Sequence, residues 1–341
     1  ILKSNISFNY QDQLIKNLDT INHYKNRICI KSLNNTKEGL INSLEFKDKE
    51  SNLKIYKLLE LINWFKSPQL HWLKKRNIYP KKTFNFIPND EGINNFEKFK
   101  LLNNIIDNCN IDEEKFKDKL SELNIKEQLI LNGIISPKNS IFINEIEVNE
   151  LIQSLILQFN NIENVERTYL KEYSNKVEFF KSDNQIIELI HSNTNFAKRS
   201  EVWIKLLFIA SLKKDINTAR IIYRKNNIYK SEIINIASPI KANKLMSEYI
   251  KIYKNSLQNC LPLPPESSYK YVKALMKNKD EKKAFIDEWV GNESFNYGER
   301  DKPEMQICYG YEKDPNFFLN NNYFKKLSLS LYKPFLDALL K

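Results

Sequence analysis

The sequence predicts an α+β protein, in which a mainly helical N-terminal part precedes a mixed β-sheet flanked by helices. Through residues 55–160 apolar side chains recur at helical spacing, for example Leu58, Ile62 and Phe65. Near Val165 the pattern changes to short runs of β-forming residues separated by Asn, Asp and Ser. A helical segment and two further strand-like runs follow. This order favours α+β over a regularly alternating parallel sheet.

The N-terminal part is predicted to contain helices joined by short polar segments. A helix near 11–18, a strand at 27–31 and an Asn/Lys-rich linker at 34–52 come first. Ser67 and Pro68 end a helix over 56–65 and open a second one, because proline suits the first turn of a helix. That second helix covers 69–76, and the later ones cover 93–106, 113–123, 126–131 and 147–159.

The central part is predicted to form the sheet. Three runs with tight turns between them indicate an antiparallel meander over 166–171, 176–181 and 185–191. A helix over 200–212 and a strand over 218–224 follow, and that strand can pair with 228–236. Pro239 opens a long helix that ends near Cys260.

The C-terminal part begins at a stiff extended break, Leu261-Pro262-Leu263-Pro264-Pro265. The remaining elements are helices over 266–276 and 281–289, a polar loop over 296–303 and a terminal helix over 324–340. The four cysteines are isolated and no Cys/His group has zinc-site spacing, so buried reduced thiols are expected.

Composition excludes several classes of protein. With six glycines and neither G-x-x-x-x-G-K-[ST] nor G-x-G-x-x-G, the chain has no glycine-rich phosphate loop of its own. No apolar run approaches the ~18 residues that span a bilayer, and we expect no membrane partner. The chain starts at Ile1 and therefore reads as a piece of a longer protein.

The charge points towards an anionic partner but allows other interpretations. The net charge is +11, and Lys198–Lys230 carries nine basic and two acidic residues. Such a cluster can contact a nucleic-acid backbone. It can also face an acidic protein, or reflect lysine-rich composition on solvated surfaces, since only seven of the 53 basic residues are Arg.

Several segments resemble, in order, elements of the nuclease-like domains of the RecB/RecC/AddB group. Asn63–Arg76 resembles the "F-F-x-x-P-x-x-x-F-L-x-x-R" entry helix, and Leu261–Ser267 resembles an "L-P-L-P-x-x-S" element. The other similar segments are Asn89–Leu102, Leu129–Pro137, Glu201–Leu207, Gly298–Asp301 and Tyr332–Leu336. Taken together, residues 55–341 resemble the C-terminal part of the RecC family, the gamma chains of exodeoxyribonuclease V.

The resemblance implies a domain organisation and a fold. Residues 1–54 would be the tail of a helicase-like region and a linker. Residues 55–341 would form the RecC C-terminal nuclease-like domain, with a helical part over 55–160, a mixed-sheet core over 161–260 and C-terminal helices over 261–341. The implied fold is that of PD-(D/E)xK nucleases.

An active nuclease of this fold holds Mg²⁺ with carboxylates on neighbouring strands and uses a Lys two residues after the second acid. The corresponding positions here are Glu178, Glu188 and Ile190, and the isoleucine replaces the lysine. We therefore expect no catalytic residue and no bound metal in this chain.

The resemblance also implies a function: a non-catalytic region of a RecBCD-type complex in double-strand break repair. It would scaffold RecB-like and RecD-like subunits in the cytoplasm and help to guide DNA. The complex, not this chain, would use ATP and Mg²⁺. The candidate DNA contacts are Lys198, Arg199, Lys205, Lys213, Lys214, Arg220, Arg224 and Lys225. The alternatives are a metal-dependent nuclease of the same fold and an interaction scaffold without DNA contact.

Overall fold

The structure, a computed structural model, describes part of the chain. The described residues are 57–80, 100, 102–104, 127, 142–159, 162, 165–172, 175–213, 215–291 and 297–339. The helices expected at 11–18 and 113–123 and the strand at 27–31 lie outside these ranges, as do most of 93–106 and 126–131.

The chain divides into two compact units. Unit 1 comprises the described residues of Ile1–Phe84 and Glu248–Leu336, and unit 2 those of Asn85–Ser247 and Asp337–Lys341. The helices are α1 (Leu58–Lys66), α2 (Pro68–Lys74), α3 (Phe142–Phe159), α4 (Phe196–Leu212), α5 (Pro239–Gln258), α6 (Pro265–Met276), α7 (Glu281–Val290), α8 (Pro303–Tyr309), α9 (Asn316–Leu319) and α10 (Asn322–Leu339). The strands are β1 (Glu166–Glu172), β2 (Asn175–Ser182), β3 (Gln185–Ile190), β4 (Thr218–Lys225) and β5 (Ile228–Asn235).

The five strands of unit 2 form one mixed sheet in the order β1-β2-β3-β4-β5. Strand β2 is antiparallel to both β1 and β3, which confirms the predicted meander. Strand β4 runs parallel to β3, and α4 connects the two. The last pair, β4 and β5, is an antiparallel hairpin, as the sequence predicted.

A helix packs on each face of the sheet. On one face, Leu151 and Leu155 of α3 share a core cluster with Ile187, Ile222 and Tyr229. On the other face lies α4, which buries much of its surface and packs against β4. The predicted α+β class, with helices flanking a mixed sheet, is therefore confirmed.

The start of α4 differs from the prediction. The helix begins at Phe196, four residues before the predicted start at Ser200. The Asn195 side chain accepts a hydrogen bond of 3.0 Å from the Lys198 backbone N–H and so satisfies one of the free donors of the first turn. Asn195 was the sequence signal for this boundary.

Unit 1 is helical and rich in buried aromatic rings. The Trp64 ring packs edge-on against Tyr253 of α5 with centroids 5.6 Å apart, and Phe65 does the same with Tyr332 of α10 at 5.7 Å. Edge-to-face pairs of this kind add to the stabilisation from burial alone. Among the described cysteines, Cys260 and Cys308 are free and buried, as expected.

Two features of unit 1 differ from the prediction. Helices α8 and α9 were not foreseen from the sequence. Part of the expected polar loop over 296–303 is a 3₁₀ turn, Glu299–Asp301, and its first residue is buried. None of the helices that the structure describes is both long enough and apolar enough to cross a lipid bilayer.

Candidate nucleic-acid interface

The predicted DNA contacts lie on two elements of unit 2 and just after one of them, and they do not form one surface. Lys198, Arg199 and Lys205 are on α4, Lys213 directly follows this helix, and Arg220, Arg224 and Lys225 are on β4. Lys214 lies outside the described residues. Because neighbouring positions on a strand face opposite sides of a sheet, closeness in sequence does not bring the three β4 residues together.

Two ion pairs join α4 to the sheet. Glu188 of β3 and Glu232 of β5 both lie beside Ile221, so the three residues form a row across three strands. Lys205 Nζ lies 2.7 Å from a Glu188 oxygen. Arg199 donates two hydrogen bonds to the Glu232 carboxylate, at 2.6 and 2.9 Å. Arg199 and Lys205 are therefore engaged in holding α4 against the sheet.

Positions 178 and 188, predicted to carry the nuclease carboxylates, belong to different faces in the strand register. Phe180 of β2 lies beside Ile187 of β3, so these residues share a face. By strand alternation, position 178 belongs to the same face as 180, whereas Glu188 belongs to the opposite face with its neighbour Ile221. This register does not bring positions 178 and 188 together on one face, as a shared metal ion requires.

The position of the missing lysine is filled by a buried side chain. Ile190 is buried, while the ammonium group that meets Glu188 comes from Lys205 of α4, and both partners are partly shielded from water. A lysine thus reaches the acid from a helix instead of from the strand. In the described part of the chain, no three His, Cys, Asp or Glu side chains gather closely enough to hold a metal ion.

Arg220 and Arg224 lie on the α3 side of the sheet. Arg220 Nε donates to the Gln185 side chain at 3.2 Å, and Arg224 is buried.

Close by, Tyr229 hydrogen-bonds to His191 Nδ1 at 2.5 Å. Burial, reinforced by the Arg224 charge, lowers the pKa of His191 to about 4, and burial raises the pKa of Tyr229. Tyr229 is therefore a core residue with no face free to stack on a base.

The remaining predicted DNA contacts lie at two ends of the sheet. Lys198 and Lys225, together with Lys230, lie at the end where the parallel strands β3 and β4 finish. Lys213 lies at the opposite end, near Asp215, whose carboxylate bonds to Lys181 at 3.2 Å. The alternation of side chains along β4 could have shown from the sequence that Lys225 faces the opposite side of the sheet from Arg220 and Arg224. The carboxylates that pair with Arg199 and Lys205 could not have been found from the sequence, because they lie on the separate strands β5 and β3.

Three of the segments that the sequence analysis singled out meet inside unit 1. The side-chain nitrogen of Gln69, in the entry segment, donates to the carbonyls of Leu261 and Leu263 at 3.2 and 2.9 Å. Arg76, at the end of that segment, donates to the carbonyls of Leu257 and Gln258, the last residues of α5. Since terminal helix carbonyls lack intrahelical partners, Arg76 acts as a cap.

The third segment contributes Glu299. Its carboxylate accepts hydrogen bonds from the backbone N–H of Glu266 at 3.0 Å and from both the N–H and the hydroxyl of Ser267 at 2.6 Å. These donors belong to the first turn of α6, so Glu299 caps that helix. Burial raises the pKa of Glu299 to about 7, although the Lys302 charge opposes this rise. The motif residues of unit 1 are thus structural.

Residues 160–276 match the family of the RecC C-terminal domain. This part of the chain is similar to a RecC C-terminal domain. No curated protein sequence gives a significant match.

The match to the RecC C-terminal domain begins just before β1 and ends with α6, so it includes the whole sheet, α4 and the extended break. It also includes every residue predicted to contact DNA. The wider boundaries that the sequence resemblance suggested, from 55 to 341, stay a prediction.

Proposed function

We propose that this chain is a non-catalytic region of a RecC-type subunit of exodeoxyribonuclease V, acting in the cytoplasm in double-strand break repair. The observation that carries this proposal is the match of residues 160–276 to the RecC C-terminal domain. In this role the chain scaffolds RecB-like and RecD-like subunits and guides DNA strands. The partner subunits supply the ATP- and Mg²⁺-dependent chemistry.

The absence of catalysis is part of the proposal, and two observations support it. Ile190 stands where a nuclease of this fold carries lysine, and positions 178 and 188 belong to opposite faces of the sheet. Lys205 neutralises the Glu188 carboxylate at 2.7 Å. A pair of this kind stabilises the contact between helix and sheet without any metal ion.

The experiment is a binding and cleavage assay on the 341-residue chain. Labelled single-stranded and duplex DNA are titrated at several salt concentrations, then incubated with Mg²⁺. We expect binding that weakens log-linearly with salt, by roughly 0.7–0.9 log units per phosphate contact, and no cleavage. Mg²⁺-dependent cleavage that disappears in Glu188→Ala would instead establish the nuclease alternative.

A second candidate function is a protein-interaction scaffold that does not touch DNA. It is favoured by the ion pairs of Arg199 and Lys205, which engage two of the predicted DNA contacts inside the fold. This candidate predicts no DNA binding even at low salt, combined with stable co-purification of RecB-like or RecD-like subunits.

A further inference from the structure

We infer that DNA contact in unit 2 is confined to one end of the sheet and takes single-stranded DNA. This inference rests on the proposed function and deepens it. The surface consists of Lys198, Tyr223, Lys225 and Lys230, and we call it the hairpin-end patch. It contains only two of the eight residues that the sequence proposed.

Strand geometry places three members of the patch together. Tyr223 and Lys225 alternate along β4 and so lie on the same face, roughly 7 Å apart. Lys230 of β5 lies directly beside Tyr223 in the register. Residues paired in this way are about 5 Å apart at Cα. Two cations therefore flank one aromatic ring next to the β4–β5 turn.

The Arg199–Glu232 ion pair holds Lys198 near the other three residues. Glu232 is two residues beyond Lys230 on the same strand, and therefore on the same face. Arg199, which follows Lys198 in the first turn of α4, is bonded to Glu232 through two nitrogens. The start of α4 is thus fixed over the part of β5 that presents Lys230.

The patch carries uncompensated positive charge. Lys198, Lys225 and Lys230 are exposed, and none of them makes an ion pair with a residue that the structure describes. The nearest sheet carboxylate, Glu232, is already bonded to Arg199. At the opposite end of the sheet, by contrast, Asp215 neutralises Lys181 at 3.2 Å. A polyanion is therefore attracted more strongly to the hairpin-end patch than to the opposite end of the sheet.

The aromatic ring favours a single strand over a duplex. Tyr223 is half-buried, so part of its side chain remains open to solvent between the two lysines. Bases stack on aromatic side chains when they are unpaired, whereas the faces of paired bases are covered by their neighbours. Lysines on both sides can then bind the phosphates that flank a stacked base.

The test measures DNA binding by the full chain and by matched variants. The patch variant is Lys198→Gln/Lys225→Gln/Lys230→Gln, and the control is Lys181→Gln/Lys213→Gln at the opposite end. For the patch variant we expect a decrease in the salt slope of roughly 2, from three lost contacts, and at least a tenfold loss of affinity at about 0.1 M salt. The control should bind almost like the unmodified chain.

A second variant tests the role of the ring. Tyr223→Ala should weaken binding of single-stranded DNA about tenfold and leave duplex binding unchanged. Circular dichroism of each variant checks that the fold is kept.

Three outcomes overturn the inference. If the unmodified chain binds DNA and the patch variant binds it equally well, the hairpin-end patch is not the DNA contact. The proposed role in guiding DNA is then not contradicted. If Tyr223→Ala affects duplex and single strand alike, the preference for a single strand is wrong. If the unmodified chain binds no DNA at low salt, both the patch and the DNA part of the proposed function fail.

Discussion

The two units use polar side chains in different ways. In unit 1, Gln69 and Glu299 are almost fully buried and most of their hydrogen bonds go to main-chain atoms. In unit 2, Arg199 and Lys205 reach carboxylates on β5 and β3, and all four side chains keep some contact with water. Buried bonds to the main chain are costly to lose, whereas partly exposed ion pairs are screened by salt.

This difference separates residues that build the fold from residues that are available to a ligand. The motifs of unit 1 contain acids and amides that resemble site residues, yet these side chains terminate helices and hold the extended break. The basic cluster of unit 2 resembles a single surface, yet only a few of its members remain free of internal partners.

The largest effect is expected for Glu299→Ala in unit 1. This change leaves two backbone N–H groups and one hydroxyl of α6 without their acceptor, which we expect to lower the free energy of unfolding by about 3 kcal/mol. Urea unfolding followed by tryptophan fluorescence measures it. The control is Glu266→Gln, which removes only the half-buried ion pair with Lys302. Equal losses in both variants would contradict the capping role.

The next effect concerns pH and His191 in unit 2. In the folded chain the pKa of His191 is about 4, below its ordinary value of 6.5. Between these values the unfolded chain binds the proton and the folded chain does not, so stability is lost as the pH falls. We expect a loss of about 2 kcal/mol between pH 7 and pH 5. Urea titrations at both pH values should show a smaller loss in His191→Phe.

In unit 1 two groups oppose each other over the same pH range. His71 also has a pKa of about 4, because it is buried, and so destabilises the folded chain as the pH falls. Glu299 has a raised pKa of about 7, so the folded chain takes up its proton first and gains stability below pH 7. Each contributes about 2 kcal/mol between pH 7 and pH 5, with opposite signs. His71→Phe should therefore reduce the loss of stability at low pH by about as much as His191→Phe does.

A smaller effect is expected for the ion pair between α4 and the sheet. A double-mutant cycle with Arg199→Ala and Glu232→Ala should give a coupling energy of about 1 kcal/mol, because the contact is bidentate but partly exposed. The coupling should decrease when the cycle is repeated in about 0.5 M salt. A coupling that salt does not change would place this pair with the buried contacts of unit 1.

The smallest effect is expected for Lys225→Gln. This lysine is exposed at the end of β4, so the free energy of unfolding should change by less than about 0.5 kcal/mol. A loss above 1 kcal/mol in urea unfolding would show that Lys225 supports the fold, and it would then have to be removed from the hairpin-end patch.

Most of the strands and helices that the sequence predicted correctly follow from local patterns of residues. The strands of the meander and the β4–β5 hairpin lie within a few residues of their predicted positions, because alternation and turn residues act over short distances. The boundaries were less exact. Helix α4 begins earlier than the apolar stripe predicted, because the capping side chain of Asn195 sets where the helix starts.

Only the tertiary structure shows which charged residues form ion pairs or hydrogen bonds with distant parts of the chain. Arg199 meets Glu232 across 33 residues of sequence, and Glu299 meets Ser267 across 32. No local period encodes such pairs, because they depend on strand order and on how one helix end is oriented towards a distant turn. The sequence by itself established an α+β protein with a basic cluster. The fold then divided that cluster between two faces and two ends of the sheet, because each strand turns alternate side chains to opposite sides.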